Sequence, residues 1–383
     1  MTTVTSSSMP EGESVVDGVD RSGPAGGAPV GDARSLAHHT TLRLGGPAAE
    51  LSTAWSAEEL VERVRAADGS GIRLLVLGGG SNLVVSDEGF EGRVVRVATT
   101  GLNYERLSED TVCLTAEAGE NWDEVVADSV RRGLGGLECL SGIPGLTGAT
   151  PVQNVGAYGV EISERLISVD LLDRVTGEVR TAPAAELGLA YRTSVLKHTD
   201  SAVVLRVRLR LRADGLSEPV RYGELAENLG ADAGERVAAE RVRDAVLALR
   251  RSKGMVLDEF DHDTWSAGSF FINPIVGAER LPEVLRVIGE RVGEQRIPRY
   301  STSTGETKLS AAWLIERAGF AKGYAGPGNR VGLSTKHTLA LTNRGSASTS
   351  DLLALAGEVR AGVRESFGVS LAPEPVLVDC LLR

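Results

Sequence analysis

The sequence predicts an α+β or α/β chain with interleaved domains, and three observations lead there. From Thr41 onward, strand-like apolar runs alternate with capped helical segments. Residues 206–212 alternate strictly between Arg and aliphatic side chains, the period of a strand with one face buried. A helix of about a dozen residues ending near Arg251 precedes a stretch, about 255 to 360, that reads as a separate α/β unit.

In chain order, residues 1–34 are rich in Ser, Gly, Pro and acidic residues with few large apolar ones. Such a composition cannot offset the entropy of ordering and predicts a disordered tail. Ser56 and Glu59 have capping-box spacing and predict a helix, followed by a strand at 73–77. Asn121 and Glu124 repeat that pattern before Val125, Val126 and Val130, with Gly133 at the C-cap position. A hairpin is expected at 169–180 around Thr176 and Gly177. The arginine row at 206–212 reads as a solvated strand face; no aromatics interleave to stack on bases. Helices are expected at 309–318 and 351–367, and the polar stretch 288–308 reads as a surface insertion. The domain expectation is 35–252 in two parts (35–100 and 101–252), then 253–360, then a C-terminal segment 361–383.

A chain of 383 residues with 42% apolar and 24% charged residues can bury sizeable cores in two or three domains. Its formal net charge of −11 argues against nucleic acid or an anionic membrane as partner. Cys113, Cys139 and Cys380 form no CxxC pair, so buried reduced thiols are expected, with no metal site. With no basic segment leading an apolar core at the N-terminus, and no run approaching the ~18 residues of a spanning helix, a cytoplasmic location is expected. No protein partner is indicated.

Gly78, Gly79, Gly80, Ser81 and Asn82 directly follow an apolar strand. Glycines there free successive N–H groups to converge on an anion, although a tight structural turn explains the same residues. A dinucleotide fingerprint does not: Leu83 stands at the third-glycine position, and Val84 and Val85 continue as strand. A second run, 141–159, contains Gly142, Ile143, Pro144, Gly145, Gly148, Gln153, Asn154, Gly156, Ala157 and Tyr158. Its glycines, prolines and uncharged hydrogen-bonding side chains suit backbone wrapped around a large flat cofactor.

These residues carry a resemblance. GGGSN followed by GIPG-x-x-G-x-x-P-x-QN-x-GAYG resembles the UDP-N-acetylenolpyruvoylglucosamine reductases, on the vanillyl-alcohol-oxidase-type FAD-binding fold. The likeness runs from about Leu36 to Val378 and includes the segment Thr41-Leu42-Arg43-Leu44-Gly45-Gly46-Pro47. It implies a two-lobed FAD-binding domain with a separate α/β substrate domain, both glycine runs on the FAD, and the residues named in them as cofactor contacts. It implies NADPH as reductant, entering the same site in turn with UDP-N-acetylglucosamine enolpyruvate, in peptidoglycan precursor synthesis.

Conjugate reduction of an enolpyruvyl ether requires a hydride donor, a proton donor at the neighbouring carbon and a cation for the developing carboxylate charge. By the resemblance, flavin N5 supplies the hydride. Ser269, in Ala267-Gly268-Ser269-Phe270-Phe271-Ile272-Asn273-Pro274, matches the serine that delivers the proton. Arg192, in Tyr191-Arg192-Thr193-Ser194-Val195-Leu196-Lys197, matches the arginine that pairs with the carboxylate. Glu374 matches the glutamate acting with them, in a segment that departs from the family pattern at Ala372 and Pro375. The substrate contacts implied by position are Tyr191, Tyr222, Arg250, Lys253, Asn273 and His337.

Two other readings use the same residues. An oxygen-using flavin oxidase on this fold is disfavoured by the Ser269, Arg192 and Glu374 set, and a non-catalytic binding protein by the retention of all three.

Overall fold

The computed structural model describes residues 33–302 and 305–383, so the expected tail lies almost entirely outside the described residues. The first layer is a parallel sheet in which Phe90–Val97 lies between Ala48–Ala54 and Leu74–Leu77. The helix Ala57–Ser70 crosses between the outer strands and buries Leu60, Val64 and Ala67 along one stripe. Ser56 accepts the Glu59 N–H, as its spacing predicts, but the Glu59 carboxylate accepts from the Trp55 N–H rather than from Ser56. Gly71, at φ 66°, ends the helix in the left-handed conformation that favours glycine.

The second layer is antiparallel and five-stranded, centred on Ala202–Arg212 between Leu166–Asp173 and Thr111–Glu117. Val207, Leu209 and Leu211 point into a core closed by the helices Trp122–Arg131 and Ala239–Ser252. The arginine row on the opposite face is only partly solvated. Arg206 pairs with Glu117 and Arg208 grips Asp170 through two hydrogen bonds of 2.7 and 2.9 Å, making a cross-strand ion-pair ladder. Its carboxylates sit on neighbouring strands, which is why the run alone did not announce it.

The third unit has its own core, built largely from residues between Ala267 and Leu371 and packed around the helix Thr349–Phe367. Two expectations are corrected here. The boundary at 360 would cut that helix, which continues to Phe367 and stops at Gly368, φ 66°. The stretch 288–308 does lie largely at the surface, but it is built into the third unit: Ile288 is fully buried, and Arg299–Ser301 and Thr307–Leu309 are strands of a sheet with Ile275–Val276. Each of these strands is too short for alternation to register in the sequence.

Residues 34–383 form one compact body in which the units share chain segments. Leu42, Leu44 and Val84 join the third core, and the C-terminal strand Val376–Val378 pairs in parallel with Leu83–Val85. Asp87 closes a further junction, its carboxylate accepting from the Thr349 N–H, the Ser350 N–H and the Ser350 hydroxyl at 2.6, 2.9 and 2.7 Å. A carboxylate there satisfies unpaired donors and faces the positive end of the helix dipole. Among the described residues no helix is long and apolar enough to cross a membrane, and no His, Cys, Asp and Glu group has metal-holding geometry. Asp87→Ala is expected to lower unfolding free energy by about 1–2 kcal/mol, measured by denaturant titration, with Asp87→Asn retaining part of the loss.

Candidate active site and cofactor cleft

The two glycine runs are laced together. Gly79 packs against Gly145 so closely that a Cβ on Gly79 would lie 2.8 Å from the Gly145 Cα. The Ser81 hydroxyl donates to the Pro144 carbonyl at 2.9 Å, and the Asn82 amide donates to Gln153 Oε1 at 2.8 Å. Gly80 adopts φ 58°, and a Cβ there would lie 1.9 Å from the His39 carbonyl oxygen. Between the loops runs a cavity of about 360 Å³ lined by Gly78, Gly79, Gly80, Ser81, Asn82, Ile143, Pro144, Gly145, Gln153 and Gly156. An apolar cavity of about 240 Å³ shares Val76, Gly78, Leu146, Ala149 and Val152 with it.

These walls fit FAD. Consecutive glycines offer a pyrophosphate backbone N–H groups without Cβ obstruction, and Val76, Leu146 and Val152 offer apolar surface to flat rings. Arg250, also on the wall, has a buried Nε with no hydrogen-bond partner, a donor suited to an anionic group. Five of the expected cofactor contacts support the loops instead of lining this larger cavity. Gly142 packs on Leu247, Gly148 on Ala118 beside the smaller cavity, and Ala157 pairs with Val160. Tyr158 stacks edge-on against Tyr222 at 5.3 Å. Asn154, fully buried at φ 47°, donates to Glu161 and the Ala190 carbonyl and accepts from the Ser163 N–H.

Ser269, Arg192 and Glu374 line the same cavity, although they come from three distant segments. Arg192 sits in a tight turn closed by reciprocal Ala190–Thr193 hydrogen bonds of 3.1 Å, at φ 55°, where glycine is the usual occupant. Lys197 Nζ donates to the Arg192 carbonyl at 2.9 Å, and the guanidinium donates to the Gly156 carbonyl at 2.6 Å. Arg192 Nε lies 3.4 Å from Glu374 Oε1. Burial pushes the Glu374 carboxyl above its ordinary range, against the opposing charges of Arg192 and Lys197.

The departures around Glu374 do not disturb its register. Ala372 accepts the Ile272 N–H, Glu374 donates to the Phe270 carbonyl at 2.9 Å, and Val376 donates to the Asn82 carbonyl at 2.9 Å. Pro375 lies between two donors that are used, where its own missing N–H costs no such bond.

Of the expected substrate residues Arg250 lines the cavity, whereas Tyr191, Tyr222, Lys253, Asn273 and His337 are not part of its wall. Asn273 lies 3.5 Å from the Tyr191 hydroxyl and accepts the Ala311 N–H at 2.9 Å. Lys253 is paired with Glu224 at 2.5 Å. His337 is half-buried near Lys253, Lys322 and Arg250; desolvation first, then those cations, lower its pKa to about 4. Lys308, not singled out from sequence, stands beside Tyr191, with Tyr300 on its other side. Lys308 Nζ stands 4.1 Å from the Tyr191 ring centroid and 5.8 Å from that of Tyr300, and burial lowers its pKa. Their signal was hidden in the stretch read as an insertion.

Residues 259–378 match the family described as UDP-N-acetylenolpyruvoylglucosamine reductase, C-terminal domain, and residues 50–182 match the FAD binding domain. A UDP-N-acetylenolpyruvoylglucosamine reductase of Saccharopolyspora erythraea is 69% identical over 358 residues, 93% of this chain and 98% of the relative. The chain belongs to the UDP-N-acetylenolpyruvoylglucosamine reductases. One from Mycolicibacterium smegmatis is 52% identical over 93% of this chain and 97% of its own. The crystal structure of the Thermus caldophilus reductase superposes with a TM-score of 0.59 at 27% identity, covering 90% of this chain and 97% of that one. Membership makes the chain an FAD-dependent oxidoreductase, with the fold that the resemblance implied.

In this reductase Gly80→Ala is expected to abolish tight FAD binding, read as loss of the flavin absorbance from the purified protein, because the new methyl overlaps the His39 carbonyl. His337 stays neutral when folded but protonates near 6.5 when unfolded. Unfolding therefore takes up a proton, and stability falls as pH drops from 6.5 through 4, by up to about 3 kcal/mol. His337→Gln is expected to remove that part of the pH dependence in denaturant titrations.

Proposed function

We propose that the chain reduces UDP-N-acetylglucosamine enolpyruvate to UDP-N-acetylmuramate with NADPH through bound FAD, in the cytoplasm, as a step of peptidoglycan precursor synthesis. The observation that supports this most directly is the convergence of Ser269, Arg192 and Glu374 on the cavity between the two glycine loops. FAD, when bound, supplies the hydride to one alkene carbon. The residues of the chain handle the remaining charge and proton. As hydride adds, negative charge spreads onto the substrate carboxylate, and the planar Arg192 guanidinium can meet it in a partly buried site where such a contact is strengthened. Ser269 delivers the proton to the carbon bearing that carboxylate. Glu374, whose protonated form is favoured by burial, braces Arg192 and offers a proton-holding group in the same cavity.

The UDP portion is assigned to Lys253, which would exchange Glu224 for a phosphate, and to Lys308, Tyr222 and Asn273, which would complete the contacts. NADPH is proposed to use the same cleft before the sugar nucleotide enters. Purified holoenzyme should oxidise NADPH only when the enolpyruvyl nucleotide is present. Ser269→Ala should reduce that turnover by about 10²- to 10⁴-fold while NADPH still bleaches the flavin. Sustained oxygen consumption with alcohols and no response to the sugar nucleotide, or nucleotide binding without turnover in the parent protein, would overturn the assignment.

A further inference from the structure

Thr41 touches both sides of the cleft. Its backbone N–H donates to the Gly80 carbonyl in the first glycine loop at 3.2 Å, and its hydroxyl donates to the Ser266 carbonyl at 2.7 Å. Ser266 stands three residues before Ser269, and its own hydroxyl accepts the Gly268 N–H at 3.2 Å, tightening the intervening turn. The residue is buried and its segment is held on several sides. The Thr40 hydroxyl donates to the Leu44 carbonyl, and Asn343 donates to the Leu42 carbonyl while its backbone N–H donates to the Trp265 carbonyl. The Arg43 guanidinium lies 3.9 Å over the Trp265 ring. A short strap thus spans from the loop assigned to the cofactor to the segment leading into the serine.

We propose that Thr41 is a positioning residue for proton delivery, its hydroxyl setting the separation between the Ser269 hydroxyl and the cofactor cradled by residues 78–82; this rests on the reading of Ser269 as proton donor. The physical argument is one of tolerance. Hydride and proton must reach adjacent carbons of one substrate, and a misplacement of about 1 Å can cost about 10²-fold in rate. Downstream, Phe270 is anchored by its N–H to the Leu339 carbonyl and by its carbonyl to the Glu374 N–H. Upstream, the Thr41 hydroxyl supplies a corresponding anchor, and it is a side-chain group that can be removed without altering the backbone.

The test separates the two half-reactions in rapid-mixing experiments on FAD-loaded Thr41→Val, Thr41→Ser and Ser269→Ala, and on the Thr41→Val/Ser269→Ala double variant. Thr41→Val is expected to slow reoxidation of the reduced enzyme by the enolpyruvyl nucleotide by about 10- to 100-fold and to raise its solvent isotope effect. Flavin reduction by NADPH and the FAD dissociation constant should stay within about twofold, Thr41→Ser should restore the rate, and Thr41→Val should add nothing to Ser269→Ala. Equal slowing of both half-reactions, weakened FAD binding of matching size, full additivity in the double variant or failure of Thr41→Ser to rescue would overturn the positioning role. If Ser269→Ala itself leaves reoxidation unchanged, the proton-donor reading falls, and the Thr41 proposal falls with it.

Discussion

The site depends on one main-chain arrangement, the insertion of the C-terminal segment between two loops that are remote from it in sequence. Glu374 donates its N–H to Phe270, just after the serine, and Val376 donates its N–H to Asn82, at the end of the first glycine run. The parallel pairing of Val376–Val378 with Leu83–Val85 extends that grip. Backbone hydrogen bonds admit little slippage, since a one-residue shift would turn every side chain to the opposite face and carry Glu374 away from Arg192. The Thr41 strap makes the corresponding connection from the other end of the described chain, so residues near both ends of that chain close the cleft.

Around this frame the backbone is held in conformations that non-glycine residues seldom adopt. Arg192, Asn154 and Tyr158 have φ between 47° and 55°, each at a general cost of about 1–3 kcal/mol. The surrounding bonds compensate: Lys197 on the Arg192 carbonyl, the Asn154 side chain on three partners, and Tyr158 against Tyr222. The result is an arginine whose fork is aimed before any substrate arrives, which lowers the reorganisation needed during reaction. Gly156 contributes by what it lacks, because a Cβ there would lie 3.0 Å from Arg192 Nη1.

Electrostatically, a chain of net charge −11 places Arg192, Lys197 and Arg250 on the wall of one cavity, and burial lowers the pKa of His337 near Lys253 and Arg250. Ion pairs with Glu374 and Glu224 hold Arg192 and Lys253 in the structure described. An anionic ligand could take over either cation, and burial, which raises the pKa of Glu374, lets that carboxyl take up a proton rather than remain as a buried unpaired charge.

Several features were legible in the sequence because their cause is local. Glycine's freedom at positive φ and its missing Cβ belong to the residue itself, so both cofactor loops showed in the linear pattern, as did the helix starts at Ser56 and Asn121. The ion pairs of the arginine row did not show because their carboxylates, Glu117 and Asp170, lie on other strands, nor did the strands within 288–308, because strands of three residues leave no periodic trace. That Ser269, Arg192 and Glu374 share a cavity was suggested only by resemblance, since no local property of any of them refers to the other two. By itself, then, the sequence determined the loops, the caps and the types of chemistry present. Tertiary structure alone decided which groups meet, because convergence depends on long-range backbone pairing and packing, whose energy belongs to contacts between segments and to no segment on its own.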